Sequence, residues 1–475
     1  MNKYDYDIIV IGAGSGGLTS AVGAAGIGAK VLLVEKEKIG GDCTHYGCVP
    51  SKTLIATARL AKKWSQRKQY GLIQTHDEKS DIMSVLKKVG ETVETVENRF
   101  ESEELLRQKG VDIARGRATF LDKHTIKCGD TQYTAKKFII ATGAFARVPS
   151  ITGLDEAGYA TNKTIFTPRA LKSIVVLGGG AIGCELSQAF KNLGVEVTLV
   201  HKGKRLLEKE DEEASALICK QLKDDGVNVL LESEIVKTEK VGQSKKIWIE
   251  TNKEKKEVAT DELLIAIGRT PNTKGIGLEK ISVAYDKFGI VVNDHMQTSA
   301  KNIFAVGDVV AGPQFTHMAD SEAKVALARA IFHAPAGREK RVVPRVTFTT
   351  PEIASVGEVV AEKKEETITL KKEYSHNDRA ITEHEENGFI KIITNKRGMI
   401  LGVTIVGAQA GELIGLVAMA MKNNLPITAL SKTIMPYPTH MYALRTCADL
   451  FRKASYTDTK KKMVKWLFGL RGNKK

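Results

Sequence analysis

An apolar run, Tyr6-Asp7-Ile8-Ile9-Val10-Ile11, passes directly into Gly12-Ala13-Gly14-Ser15-Gly16-Gly17. Small residues from Leu18 to about Gly26 predict a helix, and residues 30–34 predict a strand ending at Glu35. This is G-x-G-x-x-G inside a βαβ unit, with an acid about 20 positions on. Each position has a physical reason. Gly12 permits the tight turn, Gly14 lets backbone approach a pyrophosphate, and Gly17 lets helix and strand pack closely. The helix N-terminus offers unpaired N–H groups and a positive dipole end to phosphates. Glu35 can accept hydrogen bonds from a ribose diol.

The pattern returns. A strand over 174–177 leads into Gly178-Gly179-Gly180-Ala181-Ile182-Gly183-Cys184-Glu185, a helix to about Asn192 and a strand over 195–200. No acid ends this second strand; His201, Lys202, Lys204 and Arg205 stand there instead. An acid favours a free ribose 2′-OH, whereas cations accommodate a 2′-phosphate. The expected donor is therefore NADPH rather than NADH, unless those lysines are only surface charge. Two dinucleotide units mean two nucleotides. The simplest pairing is a tightly held flavin and an exchangeable nicotinamide.

Between these units lies Gly40-Gly41-Asp42-Cys43-Thr44-His45-Tyr46-Gly47-Cys48-Val49-Pro50-Ser51-Lys52. The cysteine spacing is wrong for a zinc knuckle, and no second Cys/His pair lies nearby to complete four ligands. Read alone, the pair is either a redox-active disulfide or two buried thiols that never meet. A helix predicted from Ser51 to about Lys63 places Cys48 near a helix N-terminus, with Lys52 close by. Both features favour thiolate.

The 475 residues allow two to four domains, and 42 glycines suit an α/β chain with many tight turns. Six cysteines are too few for a disulfide-stapled secreted protein, which predicts a reducing, cytoplasmic setting. The polar N-terminus predicts no signal peptide, and no apolar run is long enough to span a bilayer. The net charge of +15 is read as a basic surface that also attracts phosphate-bearing cofactors, not as a nucleic-acid interface.

Asp81 to about Lys109 predicts a long helical segment, polar on most sides. Strands are expected around 111–127 and 131–140, and Phe138–Gly143 reads as a buried strand meeting a tight turn. Pro149 and Pro168 flank a loop-rich domain boundary. Residues 263–272 and 303–308 read as strands entering turns, the latter ending in Gly307-Asp308. A small-residue helix is expected from about Met318 to Ile331. After Pro344, strands at 345–349, 367–373, 389–394 and 400–406 and helices at 411–423 and 441–453 predict an α+β domain.

The combination resembles the class I pyridine nucleotide–disulfide oxidoreductases, the family of lipoamide dehydrogenase, glutathione reductase and mercuric reductase. It rests on both glycine fingerprints, the G-G-x-C-x4-C-x-P-S-K stretch, Ala141-Thr142-Gly143, Gly268-Arg269-Thr270-Pro271-Asn272, Gly307-Asp308 and residues 349–357. The resemblance implies an α/β chain with two Rossmann-like domains and an α+β dimerisation domain. FAD would bind through 1–150 and 271–340, NAD(P)H through 151–270, and a homodimer would form through 341–475. Cys43 would be the interchange thiol and Cys48 the charge-transfer thiol. Lys52 and Glu185 would pair near the flavin N5. Glu35 would hold the adenosine ribose and Asp308 the ribityl chain, with Gly41, Thr142, Gly143, Gly268, Arg269 and His317 also at the cofactors. Gly178, Gly180, Gly183, His201 and Lys202 would receive the nicotinamide nucleotide. Electrons would leave through a Cys43–Cys48 disulfide. No resident metal is expected.

One departure bears on the acceptor. The family's disulfide reductases usually carry His-Pro-T-x-x-Glu near the C-terminus, the His serving as acid/base. Here Tyr437 and Tyr442 hold the His and Glu positions. A phenol of pKa near ~10 is a poor base at neutral pH. His440 is expected at the surface or against a partner. The primary reading is reduction of a small-molecule or protein disulfide, lipoamide dehydrogenase-like. The alternatives are mercuric reductase-like reduction of Hg(II) at the thiol pair, to which a tyrosine at that position is similar, and quinone reduction as a diaphorase. A non-catalytic flavin scaffold is the remaining class. The tail, 459–475, mixes lysines with large apolar groups; it is expected to pack on the dimer or to be disordered, with weak peripheral membrane contact as the alternative.

Overall fold

The computed structural model describes residues 3–73, 81–360 and 366–471. The end of the basic tail, 472–475, lies outside them. The chain divides into two compact units, 1–206 with 222–339, and 207–221 with 340–475.

In the first unit, β1 (Tyr6–Ile11), β2 (Val31–Glu35), β3 (Val111–Arg115), β4 (Ala118–Asp122), β5 (Thr125–Cys128) and β6 (Thr131–Ile140) form a sheet of order β3-β2-β1-β6-β5-β4. Strand Ile303–Ala305 pairs with β6. β1, β2, β3 and the end of β6 run parallel, whereas β4, β5 and the start of β6 form an antiparallel meander. β1 and β2 are nearly continuous apolar runs because both faces are covered. α1 (Ser15–Gly26) packs against the helix Thr316–Phe332 and crosses between β1 and β2. It begins three residues before the predicted start, because the glycine turn itself is its first turn.

A second parallel sheet has the order 228–230, 196–200, 173–177, 262–265. An antiparallel meander, 233–241, 244–251 and 254–260, follows its strand 228–230. The sequence reading missed this meander, whose apolar residues, Ile235, Ile247 and Ile249 among them, are few and are flanked by lysines and glutamates. The helix expected over Asp81–Lys109 is broken into Ile82–Val96, a π turn Glu97–Glu101 and Glu103–Gln108. It is polar on most sides, as expected, with Ile82, Leu86 and Val89 buried on one face.

In the second unit, strands 345–347, 352–357, 400–407, 389–395 and 367–373 form an antiparallel sheet in that order. Helices Ala410–Lys422 and Met441–Ser455 pack on it. Segment 207–221 belongs here because ion pairs tie it to the sheet: Glu210 to Arg345 at 2.6 Å and Asp211 to Lys391 at 2.8 Å. The architecture is the expected α/β chain with two Rossmann-like folds and an α+β C-terminal unit. Among the described residues no helix is long and apolar enough to cross a membrane.

Candidate active site

The first glycine turn is built as its sequence requires. Gly12 has φ +103°, and a Cβ there would lie 2.4 Å from the Ala141 carbonyl oxygen. A Cβ on Gly17 would lie 1.8 Å from the Gly12 oxygen, so α1 sits closer to β1 than any side chain allows. At Gly14 a Cβ would meet nothing within 4 Å, leaving an open cradle at the helix N-terminus. Glu35 closes the turn from the side: Oε2 accepts from Ala13 N at 2.6 Å and Oε1 from Glu37 N at 2.7 Å.

The cysteine segment is docked on this cradle. A Cβ on Gly41, at φ +63°, would lie 2.7 Å from Gly14 Cα. Gly41 opens the short helix α2 (Gly41–Tyr46), which carries Cys43; after Gly47, α3 (Cys48–Ser65) begins at Cys48, three residues before the predicted start. Thr316 Oγ1 lies 3.2 Å from Cys43 Sγ and 3.4 Å from Cys48 Sγ. The two sulfurs are therefore neighbours, and the reading in which they never meet is excluded.

Their proton affinities differ in direction. A hydrogen bond from Cys43 draws the Cys48 thiol down to about 6, aided by Thr316 and the Lys52 charge, against burial and the charge of Asp42. Cys43 is pushed upward, first by donating to Cys48, then by burial and the neighbouring negative charge. The arrangement favours the thiolate on Cys48 and the proton on Cys43, which donates to it.

Lys52 Nζ, one turn along α3 from Cys48, lies 2.9 Å from Oε2 of the buried Glu185. Glu185 comes from the helix Ala181–Asn192, so the second nucleotide fold delivers a carboxylate to the cysteine helix. Arg269 ties three segments together. Its Nη1 donates to Asp42 Oδ2 at 3.0 Å, its Nε lies 3.2 Å from Asp308 Oδ2, and its Nη2 donates to Ala144 O at 2.8 Å. Asn162 Nδ2 donates to the other Asp42 oxygen at 2.8 Å. Burial pushes the Asp308 carboxyl upward against the Arg269 charge. Thr142 Oγ1 donates to Asn272 O, and Asn272 Nδ2 donates back to Thr142 O. This clasp holds the two motifs side by side, with Gly143 and Gly268 both at positive φ. His317 is exposed and stacked on Phe315.

The second turn repeats the first. Gly178 has φ +122°, a Cβ on Gly183 would lie 1.8 Å from the Gly178 oxygen, and Gly180 is open. His201 Nδ1 accepts from Gly179 N at 3.2 Å. Lys202 is paired with Glu234 at 2.7 Å.

In the second unit, Tyr437 is exposed and its Oη donates to Asp378 Oδ2 at 2.5 Å. That carboxylate pushes the phenol upward. Tyr442 stands edge-on to the Tyr437 ring, with centroids 5.6 Å apart. His440 does not lie at the surface: it is 7% exposed, stacked on the buried Tyr374, with Nε2 2.9 Å from Glu383 Oε2. Its apolar stacking partner and its acid draw it inside.

Thr316, Asp42, Asn162, Asp378 and Glu383 escaped the sequence reading. Thr316 adjoins His317, and Asp42 adjoins Cys43, so proximity to chosen motifs was a usable signal for these two. Nothing local marks the other three.

The pyridine nucleotide–disulphide oxidoreductase family matches residues 6–323, and that family's dimerisation domain matches residues 343–448. A mercuric reductase of Lysinibacillus sphaericus is 34% identical, covering 95% of this chain and 84% of that protein. A dihydrolipoyl dehydrogenase of Mycoplasma genitalium is 33% identical, covering 92% and 96%. Among solved structures, the Cu(II) complex of the HOCl-induced flavoprotein disulfide reductase RclA of Escherichia coli superposes with TM-score 0.83 at 26% identity, covering 95% of this chain and 100% of that one.

Proposed function

Because the chain belongs to the pyridine nucleotide–disulphide oxidoreductase family, we propose that Cys43 and Cys48 pass electrons from NAD(P)H to a small-molecule or protein disulfide. The chain is an FAD-dependent oxidoreductase with NAD(P)H as donor, and it carries the family's dimerisation domain. The observation that carries the reading is the thiol pair clasped by Thr316, one sulfur favoured as thiolate and the other as thiol.

The first cradle fits a dinucleotide, since Gly14 leaves room where a Cβ would meet nothing and the α1 N-terminus faces it. Gly12, Gly14, Gly17, Glu35, Gly41, Thr142, Gly143, Gly268, Arg269, Asp308 and His317 would hold FAD, with Lys52 fixed by Glu185 beside it. Gly178, Gly180, Gly183, His201 and Lys202 would receive NADPH in preference to NADH. When bound, FAD supplies a two-electron relay between the nicotinamide and the thiol pair. Cys43 sulfur attacks one sulfur of the substrate and releases the other as a thiolate. Cys48 sulfur then displaces the mixed disulfide, releasing the second substrate thiolate and closing Cys43–Cys48. The substrate gains two electrons and the dithiol loses two. The Tyr437 turn of one protomer completes the Cys43 site of its partner.

A second reading, Hg(II) reduction at the vicinal thiols, is favoured by Tyr437 and by the mercuric reductases among the relatives. In Cys43→Ser protein, NADPH still bleaches the flavin, but disulfide and Hg(II) reduction are lost. Retained reduction of both would sink the thiol-pair reading, and quinone turnover without either in the wild type would establish a diaphorase. The Cys48 thiolate is present above about pH 6 and lost as pH falls through it. Thiolate absorbance of the reduced protein reads that midpoint, and Lys52→Met raises it.

We also infer a cytoplasmic enzyme whose tail touches the membrane surface weakly. The helix Asp458–Phe468 buries no residue, and Trp466 and Phe468 are 81% and 72% exposed beside Lys461, Lys462 and Lys465. Co-sedimentation with anionic vesicles that survives truncation after Thr457 would refute this.

A further inference from the structure

The turn Tyr437-Pro438-Thr439-His440 is held at three points by one short segment, 377–383. Asn377 Nδ2 donates to Thr439 O at 3.1 Å, Tyr437 Oη donates to Asp378 Oδ2 at 2.5 Å, and His440 Nε2 lies 2.9 Å from Glu383 Oε2. The helix Asp378–Thr382 lies between the two carboxylates, and Asn377 caps it through Ala380 N. His440 is buried on Glu383 and Tyr374 and is not available at the surface as a base. Tyr437 is the opposite. Its residue is 64% exposed, yet its proton is committed inward to Asp378. The phenol oxygen therefore turns acceptor capacity, not a proton, to whatever docks on it.

We propose that Tyr437 and Asp378 act together as a proton relay for the interchange thiol, with Asp378 as the terminal acceptor. This rests on the reading above that Tyr437 faces the partner's Cys43. The Cys43 S–H bond breaks and its proton passes to Tyr437 Oη, while the Tyr437 O–H proton passes to Asp378 Oδ2. A Cys43 thiolate and a neutral Asp378 result, and no electron moves. The reverse transfer protonates the departing substrate thiolate. A lone phenol would have to become a cation to accept the thiol proton; a phenol already donating to a carboxylate remains neutral throughout. The relay answers a need of the site, because Cys43 is the sulfur that holds its proton more firmly.

The other charged or titratable groups at this turn are engaged elsewhere. Arg379 and His440 both pair with Glu383, and Arg445 lies over the Tyr442 ring, whose edge meets Tyr437. Asp378 acts through Tyr437 and is a positioning and proton-storing residue.

The test uses FAD-loaded, full-length Asp378→Asn, Asp378→Glu and Tyr437→Phe proteins. Asparagine keeps an acceptor oxygen but cannot take the proton. In Asp378→Asn, alkylation of Cys43 by iodoacetamide, followed by peptide mass mapping, and disulfide turnover at pH 7 both fall on the order of 100-fold. Both then rise with pH towards the thiol's own ionisation. Asp378→Glu recovers most of the rate, and flavin reduction by NADPH stays within twofold in all three. If Tyr437→Phe is impaired while Asp378→Asn matches wild type, the relay is wrong and Tyr437 acts alone. If neither variant is impaired, the placement of Tyr437 at the thiol falls, and the relay with it.

Discussion

The two glycine turns share one backbone and differ in the side chain that closes each. In both, a Cβ on the third glycine would stand 1.8 Å from the first glycine's oxygen. In both, a residue at the C-terminal end of the following strand, the last one for Glu35 and the next one for His201, accepts a hydrogen bond from the N–H of the turn's second residue. That acceptor is Glu35 for Ala13 N at 2.6 Å, and His201 for Gly179 N at 3.2 Å. The turn thus needs an acceptor at this point, and a carboxylate or an imidazole nitrogen satisfies it. Only the carboxylate brings a negative charge. His201 meets the backbone's need without a negative charge, which fits the NADPH preference proposed above and which the sequence alone presents simply as an acid missing.

The comparison breaks first at the shared glycines. Gly17→Val forces α1 off β1 and yields protein purified without FAD. Gly183→Val yields yellow protein, with FAD retained, whose flavin NADPH no longer bleaches. Absorbance and nicotinamide titration separate the two, and loss of both functions in either variant would mean that the turns are not independent. The next largest effect is His201→Glu. It keeps the acceptor but sets a carboxylate against the 2′-phosphate, so KM for NADPH rises about 100-fold, equivalent to about 2.7 kcal/mol, while that for NADH changes little. Equal effects on both donors would show that no 2′-phosphate is read there. The smallest effect is Glu35→Gln, which keeps one acceptor oxygen for a neutral bond but turns its NH2 toward the second backbone N–H and loses that bond, at about 1 kcal/mol. Its FAD dissociation constant rises less than tenfold.

Much of the first unit was legible because its signals are local. A glycine fingerprint between a buried strand and a helix has few backbone solutions, and Gly12, Gly17, Gly178 and Gly183 each meet a carbonyl that tolerates no side chain. The cysteine stretch was legible as a motif but not as a pair of different acids. That difference comes first from the hydrogen bond between the two sulfurs, which lowers Cys48 and raises Cys43, and then from the Lys52 charge beside Cys48. The 233–260 meander was missed because its few apolar residues are interrupted by charges, and the break at 97–101 because a π turn leaves no compositional mark.

The sequence by itself determined two nucleotide folds, the thiol pair beside the first, and a tyrosine where the family usually has histidine. Those follow from residue type and spacing over a few turns. Tertiary structure decided which groups meet: Glu185 with Lys52, Arg269 between Asp42 and Asp308, His201 on Gly179 N, and Asp378 and Glu383 on the Tyr437–His440 turn. Hydrogen bonds and charges act over a few ångströms of space whatever their separation along the chain. Their partners, and with them the proton each group holds, are fixed only when the fold brings distant segments together.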